Sequence, residues 1–431
     1  MTASDALAVP VDPTSRQRLA ESALVYRVID MSDDADAEGF LRADSRGFLD
    51  EDPTEKSIAE MRPGFSERRN VGVFDETAGT WPIATVNGWI TPLTVPGGEI
   101  PMWAISSVTV AGTHRRRGIA RNLLEGELRA ASDAGLAIAG LTVSEATIYG
   151  RYGFASAVPV ASVTVDTVRA GWADSARTDE GRVLFCDRET LADDLGRLHE
   201  RTRTARAGQI AGWAGRWKRA AGVFESDKER ASVRGVHYLD ADGEVRGALA
   251  YTLSEVPDAF RSELKVRALI AETDGALRAL WRFVVQHDLV VRARADLRPV
   301  DDPLPWLVAD QRAVQVSVHD HGWLRILDVP AALAARTYRA PLDAVVAVDD
   351  PLGFATGTWR LTVDGGQAST VETDGPADVS LDVATLSALY VGGVSAVRLR
   401  AAGRLNASAE IAAAIDDAFR AADAPLLGIW Y

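Results

Sequence analysis

The sequence predicts an α+β chain built from more than one domain. Three observations carry that expectation. At roughly 150 residues per domain, the 431 residues make room for two to four domains. Strand-like runs and helical stretches follow one another in mixed order, joined by short turns that contain Gly and Pro. One segment, Ser106 to Leu124, passes from a strand into a basic, glycine-containing helix start, and the rest of the chain is arranged around it.

Taken in order, residues 1–23 are polar and mixed, with Pro10 and Pro13, and read as an N-terminal extension with little fold of its own. Val25 to Ile29 is a first strand. Ala35 to Leu49 has a helical pattern through Phe40, Leu41 and Phe48, stopped by Asp50-Glu51-Asp52-Pro53. Val71 to Phe74 and Trp81 to Trp89 are strands joined through a turn at Asp75 to Gly79. Pro96-Gly97-Gly98 is a further turn, Met102 to Val110 the next strand, and Leu136 to Val143 another. Beyond these, Leu191 to Arg203 and Gly275 to His287 read as helices, and Val236 to Leu239 and Val245 to Leu253 as strands. Trp323-Leu324-Arg325-Ile326 opens the last part of the chain. There Asp364-Gly365-Gly366 between two strand-like runs is a hairpin signal, and Ile411 to Ala421 is a final helix.

The central segment has a physical reading of its own. Val108-Thr109-Val110 ends a β-branched run, and Gly112 and Thr113 break it. Arg115-Arg116-Arg117-Gly118-Ile119-Ala120 then opens a helix whose apolar face is Ile119, Leu123, Leu124 and Leu128. Free backbone N–H groups and the positive end of the helix dipole suit a phosphate or pyrophosphate. Gly118 has no Cβ, so a ligand can lie close to the backbone there. The plainer alternative is a basic turn on a solvated surface. Later, Ser144 to Phe154 places two tyrosines on a short, tightly turned element next to a strand end. Ser144 is read as the cap of a short helix, with Glu145 in its first turn.

The pattern Arg115-x-x-Gly118-x-Ala120 after a strand resembles the pyrophosphate loop of the GNAT acetyltransferases, which bind acetyl-coenzyme A. Together with the string Ile148-Tyr149-Gly150-Arg151-Tyr152-Gly153-Phe154, the chain resembles the Eis (enhanced intracellular survival) family of multi-domain acetyltransferases, over nearly its whole length except the N-terminal extension. The resemblance implies tandem GNAT-like domains, each a mixed sheet with flanking helices, followed by a sterol-carrier-protein-like α/β domain. The corresponding boundaries are 24–167 for the catalytic domain, 168–312 for the second GNAT-like domain and 313–431 for the last. The second lacks the cofactor loop, because Arg292-Ala293-Arg294-Ala295 has no glycine and no amphipathic helix after it.

The activity this implies is transfer of an acetyl group from acetyl-coenzyme A to a small-molecule amine, in a homohexamer. By the same resemblance, Tyr149 is the general acid and the C-terminal carboxylate of Tyr431 the general base. Tyr152 holds an aromatic position read as packing. Val108, Thr109 and Val110 offer a strand edge to the pantetheine. Arg116, Arg117, Gly118, Ile119, Ala120 and Arg121 cradle the pyrophosphate, and Ser144 and Glu145 lie beside the thioester. Asp50 and Trp430 are the substrate-binding candidates. Trp430 stands where aminoglycoside-acetylating members tend to be acidic, which points from an aminoglycoside-type acceptor towards a more aromatic or smaller amine. The competing class is an acetyl-coenzyme A-binding or scaffold protein without turnover.

Composition narrows the rest. A formal net charge of −14 argues against non-specific binding to nucleic acid. A single cysteine, Cys186, excludes a disulfide within the chain, and the histidines show no metal-ligand spacing, so no metal is expected. No secretory signal and no apolar run near ~18 residues is seen, so no membrane span and a cytoplasmic location are expected.

Overall fold

The computed structural model describes residues 3–176, 180–257 and 260–431. The chain forms two compact units. One comprises Met1–Val158, Asp320–Pro425 and Trp430–Tyr431; the other comprises Pro159–His319 and Leu426–Ile429.

In the first unit, helices α1 (Ala3–Leu7) and α2 (Pro13–Ala20) precede strand β1 (Val25–Val28). Helices α3 (Asp34–Gly47) and α4 (Glu55–Ser66) follow, then β2 (Arg69–Phe74), β3 (Ala84–Val95), β4 (Gly98–Val110), α5 (Ile119–Asp133), β5 (Ile138–Thr142) and α6 (Ala146–Tyr149). β1 to β4 pair antiparallel in sequence order. β5 lies parallel to β4, with Trp103 opposite Ala139, so α5 is the crossover that a parallel pair requires. The spacing of Ile119, Leu123, Leu124 and Leu128 buries all four against the sheet.

Two irregularities shape the end of β4. Thr85 lies opposite Thr109 while Asn87 lies opposite Ser106, so β4 carries an extra residue and bulges. Ser107, inside that bulge, has a left-handed φ of 54°. α3 approaches this strand end so closely that a Cβ on Gly47 would sit 2.2 Å from Thr109 Cβ.

The N-terminal residues depart from the sequence expectation of little fold. Asp12 caps α2 and accepts from Arg129 at 2.9 Å, and Leu19 is buried in the core. The cause is a buried ion pair. Arg69 and Glu127 meet at 2.6 Å with neither side chain exposed. Arg69 then completes its donors on the carbonyls of Val9 and Pro10, while Trp103 Nε1 donates to Glu127. A buried charge pair is tolerated only when its remaining donors and acceptors are matched, and the extension supplies that matching.

The second unit's sheet has the order β6-β11-β10-β9-β8-β7. Its elements are β6 (Ala155–Asp166), α7 (Thr167–Ala170), β7 (Arg182–Cys186), α8 (Arg188–Thr202), α9 (Ala214–Ala220), β8 (Val233–Leu239), β9 (Val245–Glu255), β10 (Ser262–Ala271), α10 (Asp274–Val285), β11 (Val290–Arg298) and α11 (Leu304–Leu307). β10 and β11 are parallel, with α10 between them. Tyr251, Leu264, Leu280 and Trp281 form the centre of its core.

Strand β12 (Val314–Ile326) contributes its last residues to the first unit. Trp323, Leu324, Arg325 and Ile326, which open the last part of the chain in sequence, pair antiparallel with β5. After α12 (Val329–Ala334) comes a separate sheet of order β15-β14-β13-β16-β17. It is built from β13 (Leu342–Asp349), β14 (Gly357–Asp364), β15 (Gln367–Glu372), β16 (Val379–Asp382) and β17 (Leu405–Ala407). Helices α13 (Val383–Leu389), α14 (Ala396–Ala401) and α15 (Ala409–Phe419) complete it.

Candidate active site

A cleft of about 670 Å³ lies between the end of β4, the start of α5 and the segment from Ser144 to Tyr152. Its walls are local consequences of sequence. α5 begins at Gly118, whose φ of 77° only glycine adopts readily, and no side chain caps the helix. The first-turn N–H groups therefore face the cleft without an internal acceptor. Arg116 is also left-handed, with φ 64°. Alternating left-handed residues turn successive N–H groups to one side and form an anion-binding concavity. His114 pins this loop. Its Nδ1 pairs with Thr113 Oγ1 at 2.8 Å and its Nε2 with Asp75 Oδ2 at 3.2 Å. Hydrogen bonds from Thr77 and then His114 hold the Asp75 carboxyl below its ordinary range.

Val108, Thr109, Val110, Arg116, Gly118, Ile119, Ala120, Arg121, Ser144, Glu145 and Tyr149 all line this one cleft. Arg117 does not; it turns to Asp75, 3.9 Å away. The cleft also takes in His114, Arg115, Arg151, Tyr152, Gly47 and Phe48, which the sequence-based candidates left out. Arg115 and His114 belong to the same Thr-His-Arg-Arg-Arg-Gly string, so their contiguity with Gly118 is the signal that could have found them. Gly47 and Phe48 arrive from a distant helix end and carry no local signal.

The short helix differs in detail from the expectation. Glu145, not Ser144, occupies the N-cap of α6, with no side-chain cap bond, and its carboxylate accepts from Thr147 Oγ1 at 2.7 Å. The backbone then tightens through Gly150–Tyr152 to Gly153, whose φ is 86°. A Cβ at Gly153 would lie 2.5 Å from Arg325 Nε. That guanidinium donates to Tyr152 O at 2.8 Å and forms a fully buried pair with Asp350 at 2.7 Å. Arg325 thus clamps the tyrosine segment from β12. Tyr149 is buried with its ring edge-on to Phe154, 6.2 Å between centroids. Burial first, then the Glu145 and Tyr152 charges, push its phenol up to about 12.

Tyr431 sits on the last residue of β5. Thr142 Oγ1 donates to the Tyr431 main-chain oxygen at 2.5 Å, and the Tyr431 N–H approaches the same hydroxyl at 3.4 Å. The ring packs edge-on against Trp89 at 5.3 Å. Trp89 in turn carries the Arg68 guanidinium over its ring, 3.8 Å from the centroid. Tyr431 is thereby anchored two residues from Ser144 of the cleft wall. Trp430 is about half exposed and packs edge-on against His321 at 4.4 Å. Asp50 is exposed, just past the end of α3, and close enough to Asp44 to act on its charge. Neither Trp430 nor Asp50 lines the cleft. Among the described residues, no group of three or more His, Cys, Asp or Glu is placed to hold a metal, and no helix is long and apolar enough to cross a membrane.

Known proteins agree with this architecture. Residues 27–157 and 208–326 each match a family described as an acetyltransferase (GNAT) domain, and residues 329–428 match the sterol carrier protein domain. The chain is therefore an acetyltransferase with two GNAT domains and a sterol-carrier-protein-like domain. An uncharacterized N-acetyltransferase of Streptomyces avermitilis is 37% identical over 89% of this chain and 94% of its own length. N-acetyltransferase Eis of Mycobacterium tuberculosis is 32% identical over 78% of this chain and 82% of its own. The crystal structure of Eis1 from Mycobacterium abscessus superposes with a TM-score of 0.79 at 29% identity, covering 94% of this chain and all (100%) of that one. This chain belongs to the Eis family of N-acetyltransferases.

Proposed function

We propose that this protein transfers the acetyl group of acetyl-coenzyme A to the amine of a small molecule, in the catalytic domain spanning residues 24–167. The observation that carries this reading is the uncapped start of α5, in a cleft that Tyr149 also lines. The open N–H groups of the Gly118 turn, with Arg116 and Arg121, suit a pyrophosphate. Val108 to Val110 supply a strand edge for the pantetheine. The bulge at Ser107 breaks the β3–β4 ladder, which frees backbone donors to polarise a thioester carbonyl. Acetyl-coenzyme A supplies the activated acetyl thioester; the steps below belong to the protein.

Tyr149 faces the leaving sulfur. A phenol shifted up to about 12 stays protonated through neutral pH, so it acts first as a hydrogen-bond donor to the developing thiolate. The Tyr431 α-carboxylate, tied to Thr142, receives the incoming amine and accepts its proton. Asp50 and Trp430 form the outer contacts of the acceptor, and the aromatic Trp430 favours an aromatic or small amine over an aminoglycoside-type one. The second GNAT domain, without a cofactor loop, has a structural role. A homohexamer in the cytoplasm is part of the same proposal, from the family resemblance.

The test is thiol release from acetyl-coenzyme A with a panel of primary amines. Tyr149→Phe should lower kcat by about 10²-fold while coenzyme A affinity by calorimetry stays near wild type. A short C-terminal tag should abolish turnover in the same assay. Unchanged kcat in Tyr149→Phe removes that residue from the acid role, and a fully active tagged protein removes the terminal carboxylate.

A further inference from the structure

Helix α10 of the second unit carries two kinds of stripe. Ala276, Leu280, Trp281 and Val284 are buried in the core. Beside them run Arg278 with Arg282 and Ala279 with Phe283, each pair four residues apart and so on one face. Both pairs line another cavity, of about 520 Å³, whose walls all belong to the second unit. Across it lies β7, the last strand of the sheet order. Val183 and Phe185 are two apart on β7, share a face and line the same cavity. The Phe185 and Phe283 rings meet edge-on at 6.4 Å, and Phe283 meets His287 edge-on at 5.3 Å. Phe185 is nevertheless 70% exposed, an apolar ring left in water on a sheet edge.

The polar groups of this cavity are donors in search of an acceptor. Trp172 follows α7 in a loop held by the Ala173 N–H, which donates to Leu307 O at 3.0 Å. Its indole packs against the core and lines the cavity, and Nε1 is sealed from solvent without a hydrogen-bond partner. A buried indole N–H ordinarily finds an acceptor, so an orphaned one facing a cavity points to a missing ligand atom. Arg282 spends one of its five donors on Gln286 Oε1 at 2.8 Å. Among the described residues no carboxylate pairs with its guanidinium. Arg278 and Arg282 against Asp288 leave one net positive charge on the lining, in a chain whose formal net charge is −14. That charge matches a monoanion better than a phosphate ester. The volume falls within the ~300–1,000 Å³ of small-molecule sites.

We propose that this cavity of the second GNAT domain binds a small aromatic carboxylate. The ligand ring packs among Phe185, Phe283 and Val183, and covers the exposed Phe185. Its carboxylate accepts from the Arg282 guanidinium, for which a planar fork of N–H groups is the geometric match, and from the Trp172 indole. The domain that lacks the cofactor loop thereby holds a ligand of its own, beside its structural role. Nothing in this site uses coenzyme A, so the proposal stands apart from the acetyl-transfer reading.

The experiment is calorimetric titration of the full chain, with and without coenzyme A, using three probes. These are 2-naphthoate, 2-naphthalenemethanol, which keeps the rings without the charge, and acetate, which keeps the charge without the rings. Naphthoate should bind once per chain, at least about tenfold more tightly than either control, since a hydrogen bond to a charged group is worth about that factor. Its Kd should be the same with coenzyme A present. Arg282→Ala should weaken it about tenfold and Trp172→Phe, which keeps a ring and removes the donor, about fivefold. Naphthoate binding no tighter than the alcohol, or an unchanged Kd in both variants, overturns the proposal. Should Trp172→Phe not fold, Arg282→Ala, on the exposed side of α10, decides alone. Displacement of naphthoate by coenzyme A would put the ligand in the first cleft and also overturns it. So does a wild type that ignores naphthoate while Phe185→Ser changes the association state in sedimentation velocity, which would make this face a contact between copies of the chain. A protein that releases no thiol from acetyl-coenzyme A defeats the acetyl-transfer reading and leaves the naphthoate isotherm as it was.

Discussion

The two GNAT sheets make the same connection and finish it differently. In each, a strand leads through a helix to a parallel neighbour: β4–α5–β5 in the first unit and β10–α10–β11 in the second. In the first, the connector runs from Ala111 to Gly118, turns left-handed at Arg116 and Gly118, and leaves the helix start uncapped. In the second, only Glu272 and Thr273 separate strand from helix, and the Thr273 hydroxyl accepts the Ala276 N–H at 3.1 Å. A capped helix start spends a donor internally and keeps the negative side chain Asp274 in its first turn. An uncapped one, flanked by arginines, keeps its donors for a ligand. One topology thus gives an open or a capped helix start through the residues that precede the helix.

Four substitutions sharpen that contrast. The largest effect belongs to Gly118→Val, which places a β-branched residue at φ 77° in the mouth of the cleft. It should raise KM for acetyl-coenzyme A by at least about 10²-fold, a misplacement-sized effect. A KM within twofold of wild type would show that the turn does not hold the nucleotide. Next, Arg116→Ala should raise the same KM roughly tenfold, the scale of one charge-assisted contact. Arg117→Ala, directed to Asp75 instead, should leave KM within about twofold. Equal losses in the two variants would contradict the division of the arginines seen here. The smallest effect is Thr273→Ala, which should cost ~1 kcal/mol of stability in urea unfolding and leave KM unchanged. A shift in cofactor KM would mean that the second helix start also serves the ligand.

The sequence made the loop and the tyrosine string legible because both are contiguous. Arg115 to Ala120 and Ile148 to Phe154 each specify a turn through glycine and a surface through their neighbours. The α5 face was legible for the same reason, from the spacing of Ile119, Leu123, Leu124 and Leu128. What stayed hidden depends on partners far apart in the chain. The N-terminal helices looked unstructured because their value lies in completing the hydrogen bonds of Arg69, some sixty residues later. Arg325 looked like an ordinary strand arginine, yet it holds the Tyr152 carbonyl and the Asp350 carboxylate in full burial.

By itself, the order of residues determined the chemistry of the phosphate-type turn, the helix that follows it and the presence of a tyrosine beside it, since those rest on local dihedral preferences and hydrophobic period. The tertiary structure alone decided which carboxylates lose their solvent, which arginine clamps the tyrosine segment and where Tyr431 comes to rest. Desolvation and long-range hydrogen bonds arise from surroundings assembled by the whole fold, and no local stretch of sequence encodes them.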